Sequence, residues 1–369
     1  MKKELAAMMI ERTKEIINDT EFQQENVMDP TKDFIRNRKM GFPGTMMYVL
    51  GNSRENLFFN SGKYAEAAGL ESISAAAICK ARAKIQWTAF ESVFEQCAAI
   101  MPMKKDYNGY QMLAVDGMKG EMPNLNSLKT AYPVNDKQGY PMFHALSVYN
   151  VMNDFFMAAM FRAAPADERE MAMELQDKIM RRSDNNIWIF DRGFPSVQLI
   201  YNLEKAGQKF VMRVSNNFLK EVNDFTRGKA VDKSITITFD ARRAAGKSMD
   251  IPFPYTFTLR CVRIRLDSGI EEILITNLNR KEFPKRKIKQ IYGLRWGIEI
   301  SYNYLKHAIF IEEFTSRKEN GIKQDFYASL WAANLTNAAI SDAMPPVIKK
   351  NEIIRQTVVL PLKSFTDSC

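Results

Sequence analysis

Asp116 and Asp191 each close a short apolar run and stand within two residues of a glycine, in the segments LAVDG and IFDRG. A carboxylate leaving the C-terminal end of a parallel strand emerges at the lip of the sheet, where α/β proteins bind ligands. Aspartate is also a common turn former, so either residue taken alone stays open between the two roles. The chain has only two histidines, His144 and His307, and four cysteines, Cys79, Cys97, Cys261 and Cys369, with no C-x-x-C spacing. That scarcity excludes a histidine-cluster site and argues against structural zinc, so metal ligands must be mostly carboxylates. Neither histidine has a partner at ligand spacing, and both are assigned to structure.

The third acid is Glu299, in IYGLRWGIEISYNYLKHAI. On a helical wheel with Tyr292 at zero, Arg295 falls at about 300°, Glu299 at about 340° and Lys306 at about 320°. These four polar residues share one narrow stripe. Ile291, Leu294, Ile298, Tyr302, Leu305 and Ile309 form a neighbouring apolar stripe suited to packing on a sheet. A plainer account also exists: Glu299 lies four residues from Arg295, and a helical ion pair worth about 0.3 kcal/mol would explain both. Trp296 lies beside the polar stripe and has no assigned role.

The elements that must position these acids are legible from periodicity. Residues 1–105 read as helices, without a convincing strand. Within them, 54–68 is a candidate helix, Gly69 a turn, Ser72 or Ser74 opens a second helix, and Thr88-x-x-Glu91 has the capping-box pattern of a third. This resembles a helix-turn-helix, whose second helix carries Lys80, Arg82 and Lys84 toward phosphates or simply toward water. Strands follow at Tyr110–Val115, in HALSVYNVM and DFFMAAMF with a turn near Asn153 and Asp154, at Ile187–Phe190 and in KFVMRVS, with an exposed helix in ADEREMAMELQDKIMRR. Residues 216–284 turn β-rich, as an insertion within an α/β domain, and a helix starts near Lys287.

The 369 residues carry 52 Lys and Arg against 43 Asp and Glu, a formal charge of +9. Hydrophobic residues at 46% suffice for a core, so wholesale disorder is excluded. Bulk charge points only weakly to an anionic partner. The run RKEFPKRKIK is more telling, with Arg280, Lys281, Lys285, Arg286, Lys287 and Lys289 against the single acid Glu282. Such runs are usually solvated faces, but beside the glutamate helix phosphate binding is the favoured reading. Arg213, after the core of the fifth strand, is a further candidate contact for an anionic partner. The amino-terminal segment lacks the continuous apolar core of a signal peptide, and no apolar run approaches the roughly 20 residues of a membrane span. With its cysteine usage, the chain reads as a cytoplasmic protein.

Tyr292, Arg295, Glu299 and Lys306 match every spacing of the Y-(2)-R-(3)-E-(6)-K signature, and the chain resembles the DDE transposases of the insertion-sequence-4 family. LAVDG and IFDRGFPS resemble that family's two aspartate strands, and the likeness runs from roughly Asp33 to Ala338. It implies an RNase H-like catalytic domain with a mixed five-stranded sheet, in which Asp116, Asp191 and Glu299 bind two Mg²⁺ or Mn²⁺ ions. Two such ions suit phosphodiester chemistry without a histidine base. The resemblance also implies phosphate contacts by Arg295 and Lys306 and a terminal-backbone or displaced-base contact by Tyr292. Its partners would be double-stranded DNA, as terminal inverted repeats and target, and a second copy of the chain on that DNA. The setting would be the nucleoid of a bacterium or archaeon.

The expected organisation is therefore a helical DNA-binding region at 1–105, a catalytic core at 106–215, a β-rich insertion at 216–284, the rest of the core at 285–345 and a tail at 346–369. A related nuclease or resolvase without strand transfer, and a non-catalytic DNA-binding regulator, are the alternatives. The intact set of three acids argues against the regulator, since clustered like charges have no reason to persist at an idle site.

Overall fold

In the computed structural model the described residues are 4–343 apart from 37, 52–60, 63, 67–68, 70–71, 104–105, 133, 135–138, 181–184, 245–248, 267–268 and 308–310. The tail expected at 346–369, with Cys369, lies outside them, as does Ile309. So does most of the candidate helix at 54–68.

The elements described at the start of the chain are the helices α1 (Leu5–Asn18), α2 (Thr20–Glu25), α3 (Phe42–Leu50), α4 (Ala75–Arg82) and α5 (Trp87–Ala99). Ser74 caps α4 by accepting from the Ala77 amide, so the helix begins at the second of the two candidate serines. The capping box expected at Thr88 and Glu91 does not form. Gln86 is the N-cap of α5, the Trp87 amide bonds Asn320, and Glu91 instead accepts from Lys178 and Tyr327. These tertiary partners override the local pattern.

The remaining elements are β1 (Gln111–Glu121), α6 (Asn126–Lys129), β2 (Met142–Asn150), β3 (Phe155–Ala163), α7 (Glu168–Met180), β4 (Asn186–Phe190), α8 (Val197–Lys205) and β5 (Lys209–Val214). They continue with α9 (Lys220–Arg227), β6 (Asp232–Phe239), α10 (Ala241–Ala244), β7 (Tyr255–Arg265), β8 (Glu271–Thr276), α11 (Lys285–Gly293), α12 (Trp296–His307) and α13 (Glu319–Ala343). The strands form one eight-stranded sheet in the order β3-β2-β1-β4-β5-β8-β7-β6, with β1, β4 and β5 parallel and the other pairings antiparallel.

The sheet is larger than the five strands expected, because the strands of the β-rich insertion at 216–284 extend it. Strand β8 pairs with β5, Val211 opposite Thr276 through Val214 opposite Ile273, so β6–β8 continue the same sheet. The physical reason is burial: Ile273, Leu274 and Ile275 alternate into apolar layers on both faces, which an isolated hairpin could not supply.

Both faces are covered. Met112 and Ala114 of β1, Ile187 and Ile189 of β4, and Val211 of β5 join the core that α5, α11, α12 and α13 build with Phe90, Phe94, Ile291, Ile298 and Phe326. Leu113, Val115, Trp188, Phe190, Phe210 and Met212 face α7 and α8, where Leu175, Leu199 and Ile200 complete a second core. The helix in ADEREMAMELQDKIMRR is thus only half solvated, burying Met171, Ala172, Leu175 and Ile179. No helix among the described residues is long and apolar enough to cross a membrane.

Candidate active site

Strand register places the aspartates. The last parallel pair of β1 and β4 is Val115 opposite Phe190, so Asp116 and Asp191 are the next residues of adjacent strands. Asp116 is not a strand terminus, as the sequence suggests. Strand β1 runs on to Glu121 against β2, with Asp116 opposite Ser147, and only its parallel partner stops. The last pair of β4 and β5 is Phe190 opposite Met212, which puts Arg213 beside Asp191. Since side chains alternate along a strand, Ser147, Asp116, Asp191, Arg213 and Glu272 of β8 all point to the face covered by α11 and α12.

The helix carrying the third acid is broken, not continuous. The α-helical ladder stops at Gly293, and Leu294 and Arg295 form a turn in which the Arg295 amide bonds the Tyr292 carbonyl at 3.1 Å and the Gly297 amide bonds Leu294 at 2.8 Å. The wheel's uniform advance fails there, but Tyr292, Arg295 and Glu299 still meet. Arg295 is buried, donates to Glu299, and lies over the rings of Tyr292 and Trp296 with centroid distances of 5.8 and 5.4 Å. The Tyr292 hydroxyl donates to Asp191 Oδ1 at 3.2 Å, and Tyr302 donates to the Asp116 carbonyl at 2.8 Å. Lys306 stands apart, paired with Glu312 at 2.9 Å.

Burial pushes the Asp116 carboxyl up from 3.8 to about 6, and the charges of Glu299 and Asp191 push the same way against the Gly117 amide and Arg295. Burial and Asp191 likewise raise the Tyr292 phenol. Three carboxylates therefore share one electrostatic environment. Among the described residues, no three His, Cys, Asp or Glu side chains are already gathered tightly enough to hold an ion. The donor set nevertheless fits a hard divalent cation: all oxygen, partly desolvated, and carrying negative charge that Arg295 alone does not neutralise.

Residues 108–335, more than half of the chain, match the family described as the Transposase DDE domain. The chain belongs to that family. It is 22% identical over 276 residues to the transposase InsG for insertion sequence element IS4 of Escherichia coli (strain K12), an alignment covering 71% of this chain but only 60% of that protein. The piggyBac transposase in a synaptic complex with hairpin DNA shares the fold at TM-score 0.52 and 11% identity, over 90% of this chain and 75% of that one. The Y-(2)-R-(3)-E-(6)-K spacing thus sits in a chain whose relatives are insertion-sequence-4 transposases.

Within this DDE transposase chain the basic candidates divide. Lys285 and Arg286 are exposed in the first turn of α11, Lys287 lies over the Tyr107 ring at 5.0 Å, and Lys289 is half-buried. Lys80 is exposed on α4. Arg82, expected to reach phosphate, instead is buried against α13, bonding Gln324, Thr315, the Gly321 carbonyl and Asp325 at 2.7 Å. Its partner is more than 240 residues away in sequence, which hides the pairing from local inspection. Lys84 pairs with Asp33 at 3.0 Å and lies over Phe34. Arg213 is likewise held by protein, through Glu272 at 2.8 Å and Asp191 at 3.6 Å.

Sequence reasoning missed Glu272 and Ser147, because only the pairing of β8 with β5 and of β2 with β1 brings them to the acids. Tyr302, read as a core aromatic, is one, but its hydroxyl also ties α12 to β1. His144, assigned to structure from the sequence, is bonded to the Ala166 carbonyl at 3.1 Å and to Glu168 at 2.8 Å.

Proposed function

We propose that the chain is a DNA transposase that cleaves and joins the ends of an insertion sequence, using Asp116, Asp191 and Glu299 to hold two Mg²⁺ or Mn²⁺ ions. The observation that carries this reading is the register placing Asp116 beside Asp191 beneath the helix of Glu299. Such ions, when bound, supply a strengthened oxygen nucleophile and a stabilised leaving oxygen.

The chain's own residues do the rest. Asp116 is fixed by the sheet, and Tyr302 locks its backbone to α12. Tyr292 orients Asp191 from above. Glu299, which Arg295 engages here, would be the third residue to hold such an ion, and the Arg295 guanidinium beside it would bind a DNA phosphate, the role its planar fork suits. Water first attacks at the element's end, and the released 3′-hydroxyl then attacks the opposite strand or target DNA, in a cut-and-paste pathway. Cations in the first turn of α11 oppose the helix dipole, an arrangement that a bound phosphate relieves. Lys285, Arg286, Lys287 and Lys289 thus continue the DNA path from the site, with Lys306 and Lys80 as outlying contacts. Bringing two ends together calls for a second copy of the chain on the DNA.

The test is purified protein with Mn²⁺ and the element's terminal repeats. Nicking and joining of a 3′-hydroxyl end to plasmid are expected for the wild type, and Asp116→Ala and Glu299→Gln should lose both while retaining DNA binding. Activity surviving in those variants would refute the assignment. Nicking without joining would favour a nuclease.

A further inference from the structure

Glu272 has a geometry that stability does not explain. Its side chain is 6% exposed, Oε1 accepts from Arg213 at 2.8 Å, and Oε2 has no hydrogen-bond partner among the described residues. A buried carboxylate used purely as a clamp would engage a guanidinium with both oxygens. Leaving one oxygen unsatisfied in a dry environment is costly, and hydrophobic packing would serve β8 better. The other end of Arg213 explains the arrangement. Nη1 stands 3.6 Å from Asp191 Oδ1, outside hydrogen-bond range but close enough to act through charge. Among the described residues, Tyr292 and Arg213 both approach Asp191 at that same oxygen.

We propose that Glu272, supplied by the inserted strand β8, is a positioning residue of the acidic site: it anchors Arg213 beside Asp191 and prevents the guanidinium from capping that carboxylate. The inference rests on the proposed role of Asp191 as a metal ligand. An arginine free to close the remaining distance would form a paired salt bridge with Asp191 and compete with a divalent cation for it. Glu272 draws Arg213 the other way, so Asp191 keeps a nearby positive charge and an accessible oxygen. The strands continuing the sheet beyond β5 would then tune the centre without entering it.

Mn²⁺ binding, followed by the electron paramagnetic resonance signal of the free ion, tests this without reference to activity. Full-length wild type, Asp191→Ala, Glu272→Gln and the double variant Glu272→Gln/Arg213→Gln are compared, with thermal melting recorded for each. Asp191→Ala should lose binding at one ion site. Glu272→Gln should weaken Mn²⁺ binding about tenfold or more, the usual scale for a residue supporting a ligand. The double variant, which removes both charges and strands neither, should return close to wild-type affinity. Wild-type affinity in Glu272→Gln alongside loss in Asp191→Ala would overturn the inference while sparing the site. So would a double variant as weak as Glu272→Gln, which would mean that Glu272 acts by holding β8 and not through Arg213. If Glu272→Gln does not fold, the double variant alone decides, and weak binding there refutes the competition. Undiminished binding in Asp191→Ala would remove the site reading and this inference together.

Discussion

The hydroxyl of Tyr302 donates to the main-chain carbonyl of Asp116 at 2.8 Å, joining the helix of one acid to the strand of another across 186 residues of sequence. Tyr302 is otherwise a buried aromatic, 6% exposed, packed near Phe156 at a centroid distance of 6.0 Å. Tyr302→Phe keeps that packing and removes only the bond. The expected cost is about 1–3 kcal/mol, the scale for a buried polar group left without its partner. A urea titration measures it, and strand nicking should fall in the same variant because α12 is no longer pinned over Asp116. Unchanged nicking in a destabilised Tyr302→Phe protein would show that the bond serves folding alone.

Asp116 should make the metal-free fold less stable as pH rises. Burial, then the neighbouring acids, hold its pKa at about 6 against 3.8 for the free side chain. Between those values the folded chain keeps a proton that the unfolded chain has released. Stability from this group therefore declines from about pH 4 to about pH 6 and stays lower above it. Asp116→Asn, which can still accept from the Gly117 amide, should melt above the metal-free wild type at pH 7, with the gap closing toward pH 4. Parallel melting curves at all pH values would show that Asp116 is better solvated than its surroundings suggest.

Arg82 shows where local reading stops. Its place on an exposed-looking basic helix suggested phosphate, but Asp325, fully buried, accepts its guanidinium. Arg82→Ala should cost about 3–5 kcal/mol by stranding that carboxylate. Lys80→Ala on the same helix should change stability by less than about 0.5 kcal/mol. Guanidinium denaturation separates the two residues. If Arg82→Ala proves as stable as Lys80→Ala, the α4–α13 junction is not held by this pair.

The contrast between these residues explains what was legible. Asp116 and Asp191 announce themselves because apolar runs ending in aspartate near glycine are local in sequence, and Glu299 because its signature spans only 15 residues, Tyr292 to Lys306. Helical periodicity placed α12 against the sheet, although it could not foresee the turn at Leu294–Arg295, which depends on packing. Glu272 and Asp325 act through partners set by strand register or by helix docking, and neither leaves a periodic trace. The same holds for the sheet: five strands were readable near the acids, whereas the joining of β8 to β5 depends on long-range pairing.

Lys285 and Arg286 yield the prediction in which stability and function move in opposite directions. Both are exposed in the first turn of α11, after the N-cap Pro284, where amide groups already present positive charge. Replacing them removes repulsion worth about 0.3–1 kcal/mol each, so Lys285→Ala/Arg286→Ala should melt slightly higher than the wild type at low salt. If both contact DNA, the same variant should bind duplex ends more weakly and lower the slope of log affinity against log salt by about 0.9 for each lost phosphate contact. Fluorescence anisotropy over a salt series reads the slope, and calorimetry reads the melting point. A higher melting point with an unchanged slope would assign the pair to solvent and move the DNA path away from α11.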